Sequence, residues 1–217
     1  MSGTAPDPGN PWPHDMSITI EDDAFPLMEL LWVREAWDLH PPLGGPPRLA
    51  RTPARIGEPE DRAEWETAWP GLWAGAVQHA ASAPEPALFA ALTSDQVGSD
   101  ERASLVGAYT GPTWSDRFGA ASLGTAFDEW NRAERERRLT VAAAPQGASA
   151  SPEHLALDAL IVAWEAGLTR VVTIPCRGDA TRIISDMALL VTEATRRDPI
   201  GYVNALRSFA EGQPGSR

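Results

Sequence analysis

A helix-rich α+β fold with a small β-sheet is what this sequence predicts, and three observations lead there. Several segments space apolar residues at i, i+3, i+4 and i+7, the period of a half-buried helix. One short β-branched run, RVVTIP at 170–175, stands between two such segments and reads as a strand. Prolines and glycines crowd residues 40–60, which interrupts the helical pattern without starting a second core. A chain of 217 residues, 43% hydrophobic with nine tryptophans, suits one globular domain over 17–210. Residues 1–16 and 211–217 read as mobile tails, the first rich in proline and glycine.

SITI at 17–20 has the residue types of a short strand, and EDD at 21–23 precedes a helical pattern through Leu27, Leu30, Leu31 and Trp37. Acidic side chains favour the positive end of a helix, so they are expected to cap it, with Pro26 in its first turn. HPPLGGPPRLARTPARIGEPE, 40–60, carries six prolines and reads as an extended connection, with 48–56 as a candidate edge strand. Glu58, Glu60 and Asp61 then lead a helix that sets Trp65, Trp69 and Trp73 on one face; Pro70 should kink it.

PALFAALT at 86–93 fits either a short helix or a buried strand. A helix is expected from about Phe118, followed by a candidate strand at 139–143 and a small-residue loop at 144–152. Ser151 is a natural cap, with Pro152 and Glu153 in the first turn of a helix whose one face is marked by Leu157, Leu160, Ile161 and Trp164. Gly167 offers a left-handed exit. After the strand at 170–174, Asp179 is expected to cap a long helix buried through Ile183, Met187, Leu190, Val191 and Ala194. Asp198-Pro199 stops it and opens a last helix through Tyr202, Val203, Leu206 and Phe209. The C-terminal third is thus an α-β-α unit followed by a last helix.

Composition excludes several function classes. The net charge is -12, and no basic face offers itself to nucleic acid. Residues 1–110 hold 17 acidic side chains against 6 arginines, while residues 111–217 are nearly balanced. All 18 basic residues are arginine, which removes a Walker-type lysine and a Schiff-base lysine together. Such arginine-only, alanine- and proline-rich usage fits a GC-rich bacterial genome. A single cysteine permits no internal disulfide and suits a reducing compartment. The N-terminal residues lack the basic flank and apolar run of a signal peptide, and no segment has the length to cross a bilayer. The expectation is a soluble cytoplasmic protein with no membrane partner.

The stretch PCRGDATRI, 175–183, carries the most pointed chemistry. Cys176 and Arg182 form Cys-x5-Arg between an expected strand and an expected helix, and this resembles the phosphate-binding loop of the cysteine-dependent protein tyrosine phosphatases. The resemblance covers seven residues and implies Cys176 as nucleophile, Arg182 as clamp on phosphate oxygens, and a separate aspartate as acid. Arg177, Gly178, Asp179 and Arg182 would then be the ligand-binding set. The family pattern has His before the cysteine, Gly three places after it, and Ser or Thr after the arginine. Here those places hold Pro175, Asp179 and Ile183, and Asp179 would compete with an anion for the free amides of the helix. Against this stands a buried, inert cysteine at an ordinary helix start.

Other constellations carry less. His14, His40, His79 and His154 share no metal-ligand spacing, and the acidic clusters at 21–23 and 58–61 read as caps rather than cation sites, so no metal is expected. No G-x-S-x-G or G-x-G-x-x-G occurs, and no cofactor is expected. The Trp65, Trp69, Trp73 stripe reads as core, with residues 40–47 able to pack on it in cis or dock on a partner. Two function classes follow. The first is a noncatalytic binding or interaction domain that engages an unidentified protein partner or a second copy of itself. The alternative is a cysteine-dependent phosphatase-like or oxyanion-processing enzyme built on Cys176 and Arg182.

Overall fold

The computed structural model describes residues 12–42, 45–82, 86–93, 98–143 and 151–213. The helix-rich α+β architecture holds. Strand β1 (Thr19–Glu21) is followed by α1 (Phe25–Ala36), α2 (Arg62–Ala81), α3 (Pro86–Leu92), α4 (Ser99–Thr110), α5 (Trp114–Phe118), a 3-10 turn at Ala120–Ser122 and α6 (Gly124–Ala143). Then come α7 (Pro152–Leu155), α8 (Leu157–Glu165), β2 (Arg170–Ile174), β3 (Thr181–Ile183), β4 (Ala188–Thr192), α9 (Glu193–Arg197) and α10 (Pro199–Glu211). The four strands form one sheet in the order β1-β2-β4-β3. The first three are parallel, and β3 closes the far edge antiparallel to β4. No described helix is long and apolar enough to cross a membrane.

The sheet separates two cores. Val172, Ile174, Ala188 and Leu190 face α1 and α2, while Val171, Leu189 and Val191 face α8 and α10. Trp12 and Met16 pack against the second core, so the N-terminal segment expected to be mobile is anchored from Trp12 onward. Residues 1–11 and 214–217, the rest of the expected tails, lie outside the described residues, as does the loop at 144–150.

Helix α1 lies between the sheet and the other N-terminal helices, and every residue from Pro26 to Ala36 is buried. A helix apolar all round can be enclosed completely, but its charges then need partners inside the protein. Glu29, fully buried, accepts from the backbone amide of Trp114 at 2.6 Å and the hydroxyl of Ser115 at 2.7 Å. It therefore serves the start of α5 alongside that helix's own cap, Thr113. The tryptophan stripe of α2 packs on α1: Trp69 Nε1 donates to the Leu30 carbonyl at 2.9 Å, and Trp69 stacks on Trp73 at 5.3 Å. Pro70 sits within α2, yet the helix runs unbroken from Arg62 to Ala81, with Asp61 accepting from the Glu64 amide as its cap.

Several expectations are corrected. The long helix expected after Asp179 is a β-hairpin, β3–β4, with only the five-residue α9 behind it. Strand β4 is buried on both faces, so its apolar run lacks alternation and imitates a helix face. The free edge of β2 decides the matter by pairing Arg170–Ile174 with Ala188–Thr192. Residues 139–143 continue α6 instead of forming a strand; Leu139 is 68% exposed, and the described sheet ends at β1 and β3. Residues 48–56 form no strand, only one antiparallel bridge between Leu49 and Cys176. The acids at 21–23 do not cap α1, whose first turn holds no acid; Asp23 instead pairs with Arg135 and Arg138 of α6.

The buried Glu29 has a consequence for acid stability. Burial raises its carboxyl above the ordinary 4.5, and this outweighs the bonds from Ser115 and Trp114 that pull it down. A carboxyl raised by folding contributes stability that is full below 4.5 and is lost as pH climbs through its folded value. Urea unfolding of Glu29→Gln should therefore give a flatter profile just above pH 4.5 than the parent chain. Glu29→Ala, which strands the amide of Trp114, should cost about 2–4 kcal/mol at neutral pH.

Candidate functional site

Cys176 follows β2 and belongs to the core shared by α1 and α2, with 1% of its surface exposed. The surrounding backbone is already committed. Ala50 N–H donates to the Pro175 carbonyl at 2.9 Å, and Arg177 N–H donates to the Arg48 carbonyl at 2.8 Å. Cys176 N–H turns back onto the Ile174 carbonyl at 2.9 Å. Burial pushes the thiol from its ordinary 9.0 up to about 12, against the pull of the nearby Arg34 guanidinium. A thiol so placed is protonated at neutral pH and is a poor nucleophile.

The remaining candidates are distributed differently. Arg177 is exposed and folds back, its Nε donating to the Leu49 carbonyl at 2.9 Å and its Nη2 to Thr52 Oγ1 at 3.0 Å. Gly178 makes the turn at φ 66°, a left-handed conformation that a side chain would strain. Its carbonyl accepts from Thr192 Oγ1 at 2.8 Å, and the next amide but one, Ala180 N–H, donates to Thr195 Oγ1 at 3.1 Å. Asp179 is exposed and caps nothing, because residues 181–183 extend as β3. The helix N-terminus on which the phosphatase-type cradle depends is therefore absent from this loop. Arg182 sits on β3, exposed, while Cys176 is buried; the cation acting on the thiol is Arg34 of α1.

Arg182 instead borders a groove. About 450 Å³ of open space lies between the sheet, α2 and the proline segment, walled by Pro46, Pro47, Pro70 and Trp73 and floored by Ile174 and Leu190. Among the described residues no carboxylate lines it, and the Arg182 side chain makes no hydrogen bond or ion pair. The opposite wall is held from beneath by Arg34, whose Nη1 donates to the Pro46 carbonyl at 2.7 Å and Nη2 to the Pro47 carbonyl at 2.8 Å. Gly45 comes so near that a Cβ there would stand 3.1 Å from both Arg34 Nη1 and the Trp69 ring. The proline segment thus packs in cis on the tryptophan stripe, one of the two arrangements its composition allows.

Behind that segment Glu35 bridges Arg34 at 3.1 Å and Arg48 at 3.2 Å, and accepts from the Leu49 amide at 3.3 Å. Burial draws the Arg34 guanidinium below its ordinary value, with Glu35 opposing. Arg34 and Glu35 did not emerge as functional candidates from sequence. The signal available was three charges, at 29, 34 and 35, inside an otherwise apolar helix. A second cavity of about 260 Å³ lies between β1, the end of α2 and the end of α4, and holds Glu21, Asp23 and Arg170. Arg170 pairs with Glu21 at 3.4 Å, and Asp23 with Arg138 at 2.7 Å, so its charges are mutually satisfied. Asp61 caps α2 and Glu58 bridges Arg55 and Arg62, which engages two of the three acids in the other cluster. Among the described residues, no group of three or more His, Cys, Asp or Glu side chains converges as a metal would require.

The chain matches no protein-family model, no curated protein and no solved structure at a significant level.

The buried thiol gives a direct test. In the native chain at neutral pH, Cys176 should react with an aromatic disulfide reagent no faster than the protein opens, and at once in denaturant. A thiol raised by folding contributes stability that is full below 9.0 and is lost as pH climbs toward about 12. Cys176→Ala should remove that alkaline loss, as read by unfolding at pH 8 through 11.

Proposed function

We propose that this chain is a noncatalytic binding domain whose recognition surface is the groove between α2, the proline segment 45–47 and the β3–β4 hairpin. The observation that carries the reading is an apolar groove bordered by one unpaired arginine and by no acid, on a chain of net charge -12. Proline and tryptophan walls are rigid, so a ligand settling there orders little of the protein. A wall clamped by two hydrogen bonds from a buried arginine is rigid in the same sense.

The chemistry selects one occupant, a short extended apolar peptide segment carrying a carboxylate that meets Arg182. Each buried aliphatic or aromatic side chain of such a peptide contributes about 1.5–3 kcal/mol. The Arg182 contact adds orientation more than affinity, because an exposed ion pair is worth about 0.2–1 kcal/mol. The burial of Cys176, with its thiol pushed up to about 12, favours this reading over covalent chemistry at the same loop. A protein that keeps one free thiol suits a reducing compartment such as the cytoplasm.

Panning a random peptide library against the full chain tests the proposal, with Ala74→Trp as the control. Ala74 lines the groove from the exposed side of α2, so an indole there fills the space without entering the core. Selected peptides should share an apolar run next to an acidic residue and lose binding to Ala74→Trp. Arg182→Glu should weaken them by about five- to tenfold. Peptides with no common pattern, or equal binding to Ala74→Trp, would remove the groove as the site.

A further inference from the structure

We infer that the cavity lined by Arg34, Arg48 and His40 behind the proline segment is a binding site for a small oxyanion, phosphate or carboxylate. This site is separate from the groove and does not depend on its ligand, although Gly45, Pro46 and Pro47 form a wall of both.

The cavity measures about 320 Å³. Among the described residues its walls are three prolines, Gly45, the Trp69 ring and three basic side chains, with no carboxylate. The acid shared by the two arginines, among the described residues, is Glu35, which lies outside the lining and divides its two oxygens between Arg34 and Arg48. Two guanidinium groups sharing one carboxylate leave a net positive charge. That charge is held where water has little access, since Arg34 is only 4% exposed. A buried cation without full compensation is costly, and an anion in the adjoining space relieves it.

Hydrogen-bonding capacity points the same way. Arg34 uses Nη1 on Pro46 and Nη2 on Pro47 and Glu35, but its Nε–H is buried with no partner. Arg48 uses Nη1 on Glu35 and reaches the Leu39 carbonyl only at 3.5 Å, and its side chain remains 41% exposed. The donor left open toward the cavity is therefore on Arg48, while Arg34 contributes its charge to the wall. His40 stands at the outer side, its ring Nε2 3.8 Å from Asp38 Oδ1 and its backbone amide on Glu66. The far face of Trp69 is already stacked on Trp73, and the Arg34 guanidinium lies over its ring at 5.4 Å, so no aromatic sandwich is open to a ligand. The chemistry that remains is that of a compact oxygen anion held by two arginines.

The Nε–H resonance of Arg34 in a nitrogen–proton correlation spectrum reports on the guanidinium that lines the site. Titration with inorganic phosphate, and separately with acetate, at ionic strength held constant with chloride, should move that signal saturably. A stronger response to one anion assigns the class of oxyanion the site takes. Arg48→Gln, which keeps Glu35 paired to Arg34, should weaken the response about tenfold while the rest of the spectrum stays native. Gly45→Ala, which sets a methyl 3.1 Å from Arg34 Nη1, should weaken it independently. An Arg34 signal that follows only the chloride control, or moves in both variants as it does in the parent chain, would overturn the site and leave Arg34 as a clamp for the proline segment alone.

Discussion

Three charges inside one enclosed helix organise this molecule. From Pro26 to Ala36 helix α1 has no solvent-facing side, so Glu29, Arg34 and Glu35 must each find a partner that another segment brings. Glu29 holds the start of α5, Arg34 holds the carbonyls of Pro46 and Pro47, and Glu35 holds Arg48 and the amide of Leu49. Each charge fixes a piece of chain with little regular structure of its own to hold it. Apolar packing alone would enclose α1 but would not choose which loop lies where.

The bridge from Leu49 to Cys176 extends this logic to the sheet. With the proline segment held against α1, its continuation meets the end of β2, where backbone groups of 48–50 and 175–177 pair. That pairing occupies amides an anion would need and shields the thiol. The same placement leaves Arg182 facing a groove rather than the cysteine. Two arginines close in sequence to Cys176 are thus structural or surface groups, and the one that influences it electrostatically comes from 142 residues earlier in the chain.

Much of this was legible before any coordinates. The 3.6-residue period of α1, α2, α8 and α10, the Ser151 and Asp198 caps, and the β-branched run of β2 are local signals, and local signals survive folding. The β3–β4 hairpin was not legible. Ile183, Met187, Leu190 and Val191 match a helix face as well as they match two strands, and Leu189 and Val191 find one core while Leu190 finds the other. Only the open edge of β2 breaks the tie. The candidate site suffered the same ambiguity, because Cys-x5-Arg means an anion cradle only where a helix follows.

Composition by itself settled the chemical exclusions: no lysine, one cysteine, an acidic surplus, and enough apolar and aromatic material for a real core. The order of the residues settled α1, α2, α8 and α10, because helix periodicity needs only neighbours in the chain. Tertiary structure alone decided strand pairing, the burial of Cys176, the neighbours of Arg34 and the setting of Arg182. Those depend on contacts between separate elements, whether near in the chain, as Arg34 and Pro46 are, or far, as Leu49 and Cys176 are, and on the requirement that every charge and amide taken from water be met by another group.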